Sequence, residues 1–148
     1  MNDDLQTLYQ EVILDHNRRP RNFRAIEGGR KAEGYNPLCG DRVTVHLRVE
    51  GDLIEDVSFQ GSGCAISKAS ASLMTESVKG KTLAEAIKLL ERFHQMITAP
   101  PWAPLDDLDT LTVLGSVRQF PIRVKCASLP WRALRGAADA RDEVVSTE

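Results

Sequence analysis

Apolar positions along the chain switch period several times, and each switch marks an element. Leu5, Leu8, Tyr9, Val12 and Ile13 recur at helical spacing, with Asn2 to Asp4 supplying an N-cap and first-turn acids. This predicts a one-faced helix that stops near His16, because Asn17 to Asn22 is polar and Pro20 disfavours helix in the residue before it. A Gly-rich stretch follows over Glu27 to Asn36. Alternation then takes over. Val43, Val45, Leu47 and Val49 fall on one face, Glu50-Gly51-Asp52 turns the chain, and Leu53 to Phe59 returns, which predicts a hairpin.

After Gly61-Ser62-Gly63 the period becomes helical again. Ala65 to Val78 lets Ile66, Ala69, Leu73 and Met74 share a face, with the helix beginning at or beside Cys64 and ending at Gly80. Thr82 is placed to cap a further helix with a stripe of Leu83, Ala86, Ile87, Leu90, Phe93 and Ile97. Ala99 to Pro104 and Asp106-Asp107 read as a surface connector too short to separate two domains. Pro121 is a good first helical residue for a last helix through Ile122, Val124, Leu129, Trp131, Leu134 and Ala138, and Asp139 to Glu148 reads as a frayed tail. The order predicts an α+β domain, a small antiparallel β-sheet covered on one side by several α-helices.

At 148 residues the chain is expected to form a single domain spanning 1–148, its core about 5–137 and its tail 138–148, without internal repeats or low-complexity tracts. Composition is that of an ordinary globular protein, with 42% hydrophobic and 27% charged residues. The formal net charge of −2 argues against a general polyanion binder. No apolar run reaches membrane-span length and the start is acidic and polar, so a soluble, cytoplasmic protein is expected, with neither nucleic acid nor membrane as partner.

The cysteines carry the candidate chemistry. Cys39, Cys64 and Cys126 are odd in number and widely spaced, which excludes a disulfide framework and suits a reducing compartment. Spacing alone favours buried, inert thiols. Local context points the other way. Cys39 lies in the turn-forming Asn36-Pro37-Leu38-Cys39-Gly40-Asp41, and in an extended segment Asp41 would point to the same side, although Asp41 taken alone reads better as a turn residue. Cys64 opens a helix, where free amides and the dipole lower a thiol pKa, although a small apolar residue at a helix start is the plain alternative. Cys126 follows Arg123 and Lys125, cations that favour a thiolate or simply form a solvated face. Three such thiols and a carboxylate suit a tetrahedral zinc site or an iron–sulfur platform. His16, His46 and His94 read as surface or partly buried groups rather than ligands, and neither a serine-nucleophile elbow nor a phosphate-binding glycine loop is present.

Asn36 to Asp41, Gly61 to Ser67 and Arg123 to Cys126, in that order, together with Leu8-Tyr9, Asp15-His16 and Pro20 to Phe23, resemble the IscU/NifU-N family of iron–sulfur cluster assembly proteins over about residues 5–137. The resemblance implies a SufE/NifU-like α+β fold and a metal site of Cys39, Asp41, Cys64 and Cys126. Lys125 stands where scaffold members carry a His, and the segment Thr98 to Phe120 is long. Both features are similar to the SufU branch, whose members bind zinc and accept sulfur from the cysteine desulfurase SufS. The implied function is therefore that of a zinc-dependent sulfurtransferase-like acceptor and carrier, acting with a SufS-like desulfurase and downstream Suf cluster-assembly components. Cys39 would be the thiol that a histidine of the desulfurase displaces from zinc and that then takes the sulfur. Three thiolates and a carboxylate leave the zinc site net negative, so a cation is expected beside it, Arg123 or Lys125, with Arg123 preferred. Two alternatives use the same ligands: a scaffold for a transient [2Fe-2S] cluster, and a structural zinc-binding interaction domain. Pro130, inside the last helix, removes the bond to the Cys126 carbonyl and should bend that helix.

Overall fold

A computed structural model describes residues 3–38, 40–104, 108–139 and 144–146. Helix α1 (Asp3–Arg18) leads into strands β1 (Arg30–Asn36), β2 (Asp41–Glu50) and β3 (Leu53–Ser62), then helices α2 (Ala65–Val78) and α3 (Leu83–Thr98). A 3₁₀ segment (Asp109–Gln119), helix α4 (Pro121–Ala138) and strand β4 (Val144–Ser146) complete the order. The sheet runs β3-β2-β1-β4, antiparallel among the first three and parallel between β1 and β4.

The expected hairpin and helices form as the pattern predicts. Gly51 takes a positive φ of 64° in the β2–β3 turn. Thr82 caps α3 with a full capping box, its side chain accepting from Glu85 N at 3.1 Å while Glu85 Oε1 accepts from Thr82 N at 3.0 Å. Alternate residues of the strands face the helices: Ala32, Gly34 and Asn36 from β1, Asp41, Val43, Val45 and Leu47 from β2, and Val57 and Phe59 from β3 are all buried. Helix α4 lies across β1 and β2. It comes so close that a Cβ on Gly34 would sit 2.9 Å from Leu129 Cδ1. Phe93 of α3 stacks on Trp131 of α4 at 4.6 Å between ring centroids. The Trp131 indole N–H donates to Ser70 Oγ at 3.2 Å, and Ser70 in turn donates to the Ala127 carbonyl at 2.6 Å, which ties α2 to α4 through satisfied polar groups.

Three segments depart from the pattern. Hydrophobic periodicity marks no strand in the Gly-rich stretch, yet β1 runs from Arg30, because its inward positions are the small or polar Ala32, Gly34 and Asn36 and their value is in letting α4 approach. The connector is a loop over Ala99 to Pro104, with Asp106 and Asp107 outside the described residues, but Asp109–Gln119 beyond it coils into 3₁₀ turns that bury Leu111, Val113, Leu114 and Val117. Within the frayed tail expected over Asp139 to Glu148, Val144–Ser146 instead forms β4, paired with Glu33 to Tyr35 of β1, while 140–143 and 147–148 lie outside the described residues. Helix α4 continues through Pro130, which is itself buried. Among the described residues no helix is long and apolar enough to cross a membrane.

Candidate metal centre

One end of the sheet gathers the polar residues that the rest of its inner face excludes. Asp41 opens β2 directly opposite Asn36, the last residue of β1, and both are fully buried. Cys64 is the N-cap residue of α2, and Cys126 lies buried in the second turn of α4. Ligand atoms of Asp41, Cys64 and Cys126 all lie within 4.8 Å of one another. The backbone N–H of Cys64 donates to Asp41 Oδ1 at 2.8 Å, and the Cys64 thiol sits 3.7 Å from Oδ2. Ser67 N–H donates to Cys64 Sγ at 3.4 Å, so the sulfur occupies the place of a capping oxygen and meets the positive end of α2.

Glycines make this approach sterically allowed. A Cβ on Gly63 would lie 2.5 Å from Asp41 Oδ1 and 2.9 Å from its Cγ, so the carboxylate occupies the space a side chain at position 63 would fill. A Cβ on Gly61 would strike the Arg42 carbonyl oxygen at 2.1 Å. The Gly61-Ser62-Gly63 stretch thus lets β3 pass the start of β2 at close range and delivers Cys64 to Asp41.

Cys39 lies outside the described residues, but the loop that carries it is anchored at both ends here. Gly40 N–H donates to the Asn36 carbonyl at 2.8 Å, Leu38 N–H donates to Asn36 Oδ1 at 3.2 Å, and Gly40 takes a φ of +72°. Arg123 lies one turn before Cys126, exposed, with its guanidinium 4.9 Å above the Phe120 ring. Lys125 is half-buried on the same helix. An open cavity of about 740 Å³ leads from solvent to the two thiols, lined by Ile13, Leu14, Ile66, Phe120, Ile122 and Arg123 beside Cys64 and Cys126. Phe120 and Ile122 are 48% and 62% exposed, so the mouth of the site is apolar. Hydrophobic periodicity assigns Ile122 to the core side of α4; its exposure places it on the cavity rim instead.

The donor set fits zinc. Two thiols and a carboxylate are the mixed soft and hard donors zinc accepts, and ligand atoms around tetrahedral zinc stand roughly 3–4 Å apart, a modest contraction from the spacing here. Asp41 is 0% exposed and makes no ion pair among the described residues, which leaves a buried carboxylate whose natural counter-charge is a cation. The histidines stay away from the site, as the sequence suggests. His16 Nδ1 meets Ser72 Oγ at 2.7 Å, where burial pushes the imidazole pKa down. His46 pairs with Gln60 at 3.2 Å and is likewise lowered by burial, and His94 is exposed on α3. Asn36, quoted within the first motif only as a turn residue, is the neighbour that sequence reasoning passes over. An Asn ahead of Pro two residues before a loop amide is the signal for such a turn.

The chain matches the family model described as NifU-like N terminal domain over residues 8–127. It is 41% identical over 133 residues to the zinc-dependent sulfurtransferase SufU of Bacillus subtilis (strain 168), covering 90% of each chain. It is 38% identical over 133 residues to the iron-sulfur cluster assembly scaffold protein IscU of Streptococcus pyogenes serotype M1, covering 90% of this chain and 84% of the relative. Among solved structures, it resembles a putative iron-sulfur cluster assembly scaffold protein for the SUF system from Fervidobacterium islandicum AW-1, with a TM-score of 0.81, 36% identity, and coverage of 90% and 98% of the two chains. Fold, motif order and the converging Asp41, Cys64 and Cys126 agree with this match, and the chain belongs to the NifU-like N-terminal domain family.

Proposed function

We propose that the chain is a zinc-bound sulfur acceptor and carrier for iron–sulfur cluster assembly, taking persulfide sulfur from a SufS-type cysteine desulfurase. The observation that carries this reading is the convergence of Asp41, Cys64 and Cys126 at the base of an open apolar cavity, next to the loop of a third cysteine. Cys39, Asp41, Cys64 and Cys126 form the proposed ligand set. When zinc is bound, ligand thiols are held deprotonated, with part of their nucleophilicity withheld.

The chain's own residues divide the work. Asp41 is fixed by the Cys64 amide and by the space at Gly63, and Cys64 by its place at the head of α2, so these two are static. Cys39 belongs to a loop between Pro37 and Gly40 and is the residue proposed to move. Its thiolate attacks the outer sulfur of the desulfurase persulfide. A new S–S bond forms at Cys39, the old one breaks, and the desulfurase cysteine leaves as a thiolate, so no external oxidant or reductant enters. Arg123 stands at the cavity as the cation beside an anionic set, and the apolar rim at Phe120 and Ile122 excludes water around the exchange.

Incubation with a cysteine desulfurase and ³⁵S-labelled cysteine tests the reading. Purified protein is expected to contain one equivalent of zinc and to take label in a reductant-sensitive form, and Cys39→Ala to abolish the uptake. Normal labelling of Cys39→Ala would overturn the assignment. Strong visible absorption of anaerobically purified protein would point to the cluster scaffold instead.

A further inference from the structure

Asn36 has one side-chain atom employed and one idle. Its Oδ1 accepts from Leu38 N–H, which fixes the amide orientation, since the flipped amide would set two donors against each other. Its Nδ2 is then buried without a hydrogen-bond partner among the described residues. Asn36 is fully buried, and a donor stranded there costs on the order of 1–3 kcal/mol. An unsatisfied buried atom in a native fold calls for an explanation, and a functional role or a bound ion is among those known.

The position says which group. Asn36 is the antiparallel partner of Asp41, so their side chains share one face at the same end of the sheet, with Cβ atoms roughly 5 Å apart. Asp41 reaches the ligand atoms of Cys64 and Cys126 on that face. Asn36 also begins the loop that carries Cys39. The stranded donor therefore belongs to the residue cross-strand from Asp41, on the face that holds the ligand set. Loading that set removes thiol protons, so the sulfurs become anionic beside the Asp41 carboxylate, and anionic acceptors are those an amide N–H serves best.

We infer that Asn36 is a positioning residue of the metal centre. Its Oδ1 shapes the Cys39 loop, and its Nδ2 donates a hydrogen bond to an anionic ligand atom, thiolate sulfur or carboxylate oxygen, once the metal is bound. This rests on the function proposed above and adds to it. The site is completed by a residue outside the ligand set, so metal release and the shape of the Cys39 loop are coupled through one side chain.

The test uses full-length protein and zinc or cobalt as probe. In the unaltered protein, the Asn36 side-chain amide protons are expected to shift downfield and exchange more slowly on zinc addition. Asn36→Ser keeps a weaker turn oxygen without charge, and Asn36→Asp keeps the oxygen for Leu38 while replacing the donor by an acceptor. Both should lose about ten- to a hundredfold in zinc affinity by chelator competition, Asn36→Asp more than Asn36→Ser. In the cobalt-loaded Asn36→Ser protein, a red-shifted sulfur-to-cobalt charge-transfer band identifies sulfur as the acceptor, and an unmoved band with weakened affinity identifies the carboxylate. If the variants do not fold, the amide resonances of the unaltered protein decide. Unmoved Asn36 amides, or unchanged affinity in folded variants, overturn this inference alone. Failure of the unaltered protein to bind zinc or cobalt overturns the proposed function as well.

Discussion

Helices α2 and α3 follow one another in the chain and begin in opposite ways. At the head of α3, Thr82 and Glu85 exchange side-chain hydrogen bonds with each other's backbone at 3.1 and 3.0 Å, and an acid stands in the first turn. At the head of α2 the cap is a sulfur accepting at 3.4 Å, no acid stands in the first turn, and the chain arrives through two glycines. The first start is built for local stability. The second forgoes a strong cap and keeps a thiol, a carboxylate and a helix end in contact. The difference separates a start whose partners are all local from one whose partners come from β2 and α4.

The largest expected effect concerns how the chain enters α2. Gly63→Ala should place a methyl carbon within 2.5 Å of Asp41 Oδ1, displacing the carboxylate and lowering metal-free stability by about 1–3 kcal/mol, with a loss of zinc affinity. The two nearest atoms, Oδ1 and Cγ, belong to the Asp41 carboxylate, whereas the Asp41 Cβ at 3.1 Å and the φ of +158° at Gly63 remain in an Asp41→Ala background, so the same substitution should cost less there without becoming free. Denaturant titration of the four metal-free proteins measures that coupling. Additive costs would show that the glycine serves something other than the carboxylate. Gly61→Ala is the control, since its 2.1 Å contact is with the Arg42 backbone and persists whatever stands at position 41. No comparable penalty is expected for Lys81→Ala ahead of α3.

Exchanging the caps themselves should separate the two helices more gently. Oxygen is the better cap, so Cys64→Ser is expected to leave the metal-free protein equally or more stable, by up to about 1 kcal/mol, while sharply reducing zinc affinity. Thr82→Ala should do the reverse, costing about 1 kcal/mol with zinc affinity unchanged. Thermal midpoints with and without zinc distinguish them. A Cys64→Ser protein that is strongly destabilised without metal would mean that the sulfur is a structural group first.

The same contrast accounts for what could be read from the sequence. Thr82 and Glu85 are three residues apart, so the start of α3 is written locally, as are the hairpin turn at Gly51 and the Pro121 start of α4. Cys64, Asp41 and Cys126 were readable because chemistry marks their residue types and motif order marks their family. The close approach at Gly63 was not, since the clashing atoms belong to a residue on another strand. Strand β1 escaped for a related reason: its inward positions are Ala32, Gly34 and Asn36, and what makes them inward is α4, which lies far along the chain. Strand β4 packs against α4 and pairs with the β1 edge, which is distant in the chain, and Asp109–Gln119 packs at a period that neither helix nor strand patterns detect.

The smallest expected effect is a pH dependence confined to the start of α3. Hydrogen bonding from Thr82, through its backbone first, holds the Glu85 carboxyl below its ordinary value of 4.5. A carboxyl depressed in the folded state contributes stability that is present above its unfolded pKa and disappears as pH falls through the folded one. Stability from this cap should therefore be constant above about pH 5 and decline in acid. Glu85→Gln preserves the capping-box acceptor without the charge, so subtracting its midpoints from those of the unaltered protein isolates the contribution. The difference should be flat at neutral pH and shift against the unaltered protein as Glu85 is protonated. A difference that stays flat into acid would mean that the box is held by the hydrogen bonds alone, with the Glu85 charge contributing nothing to the start of α3.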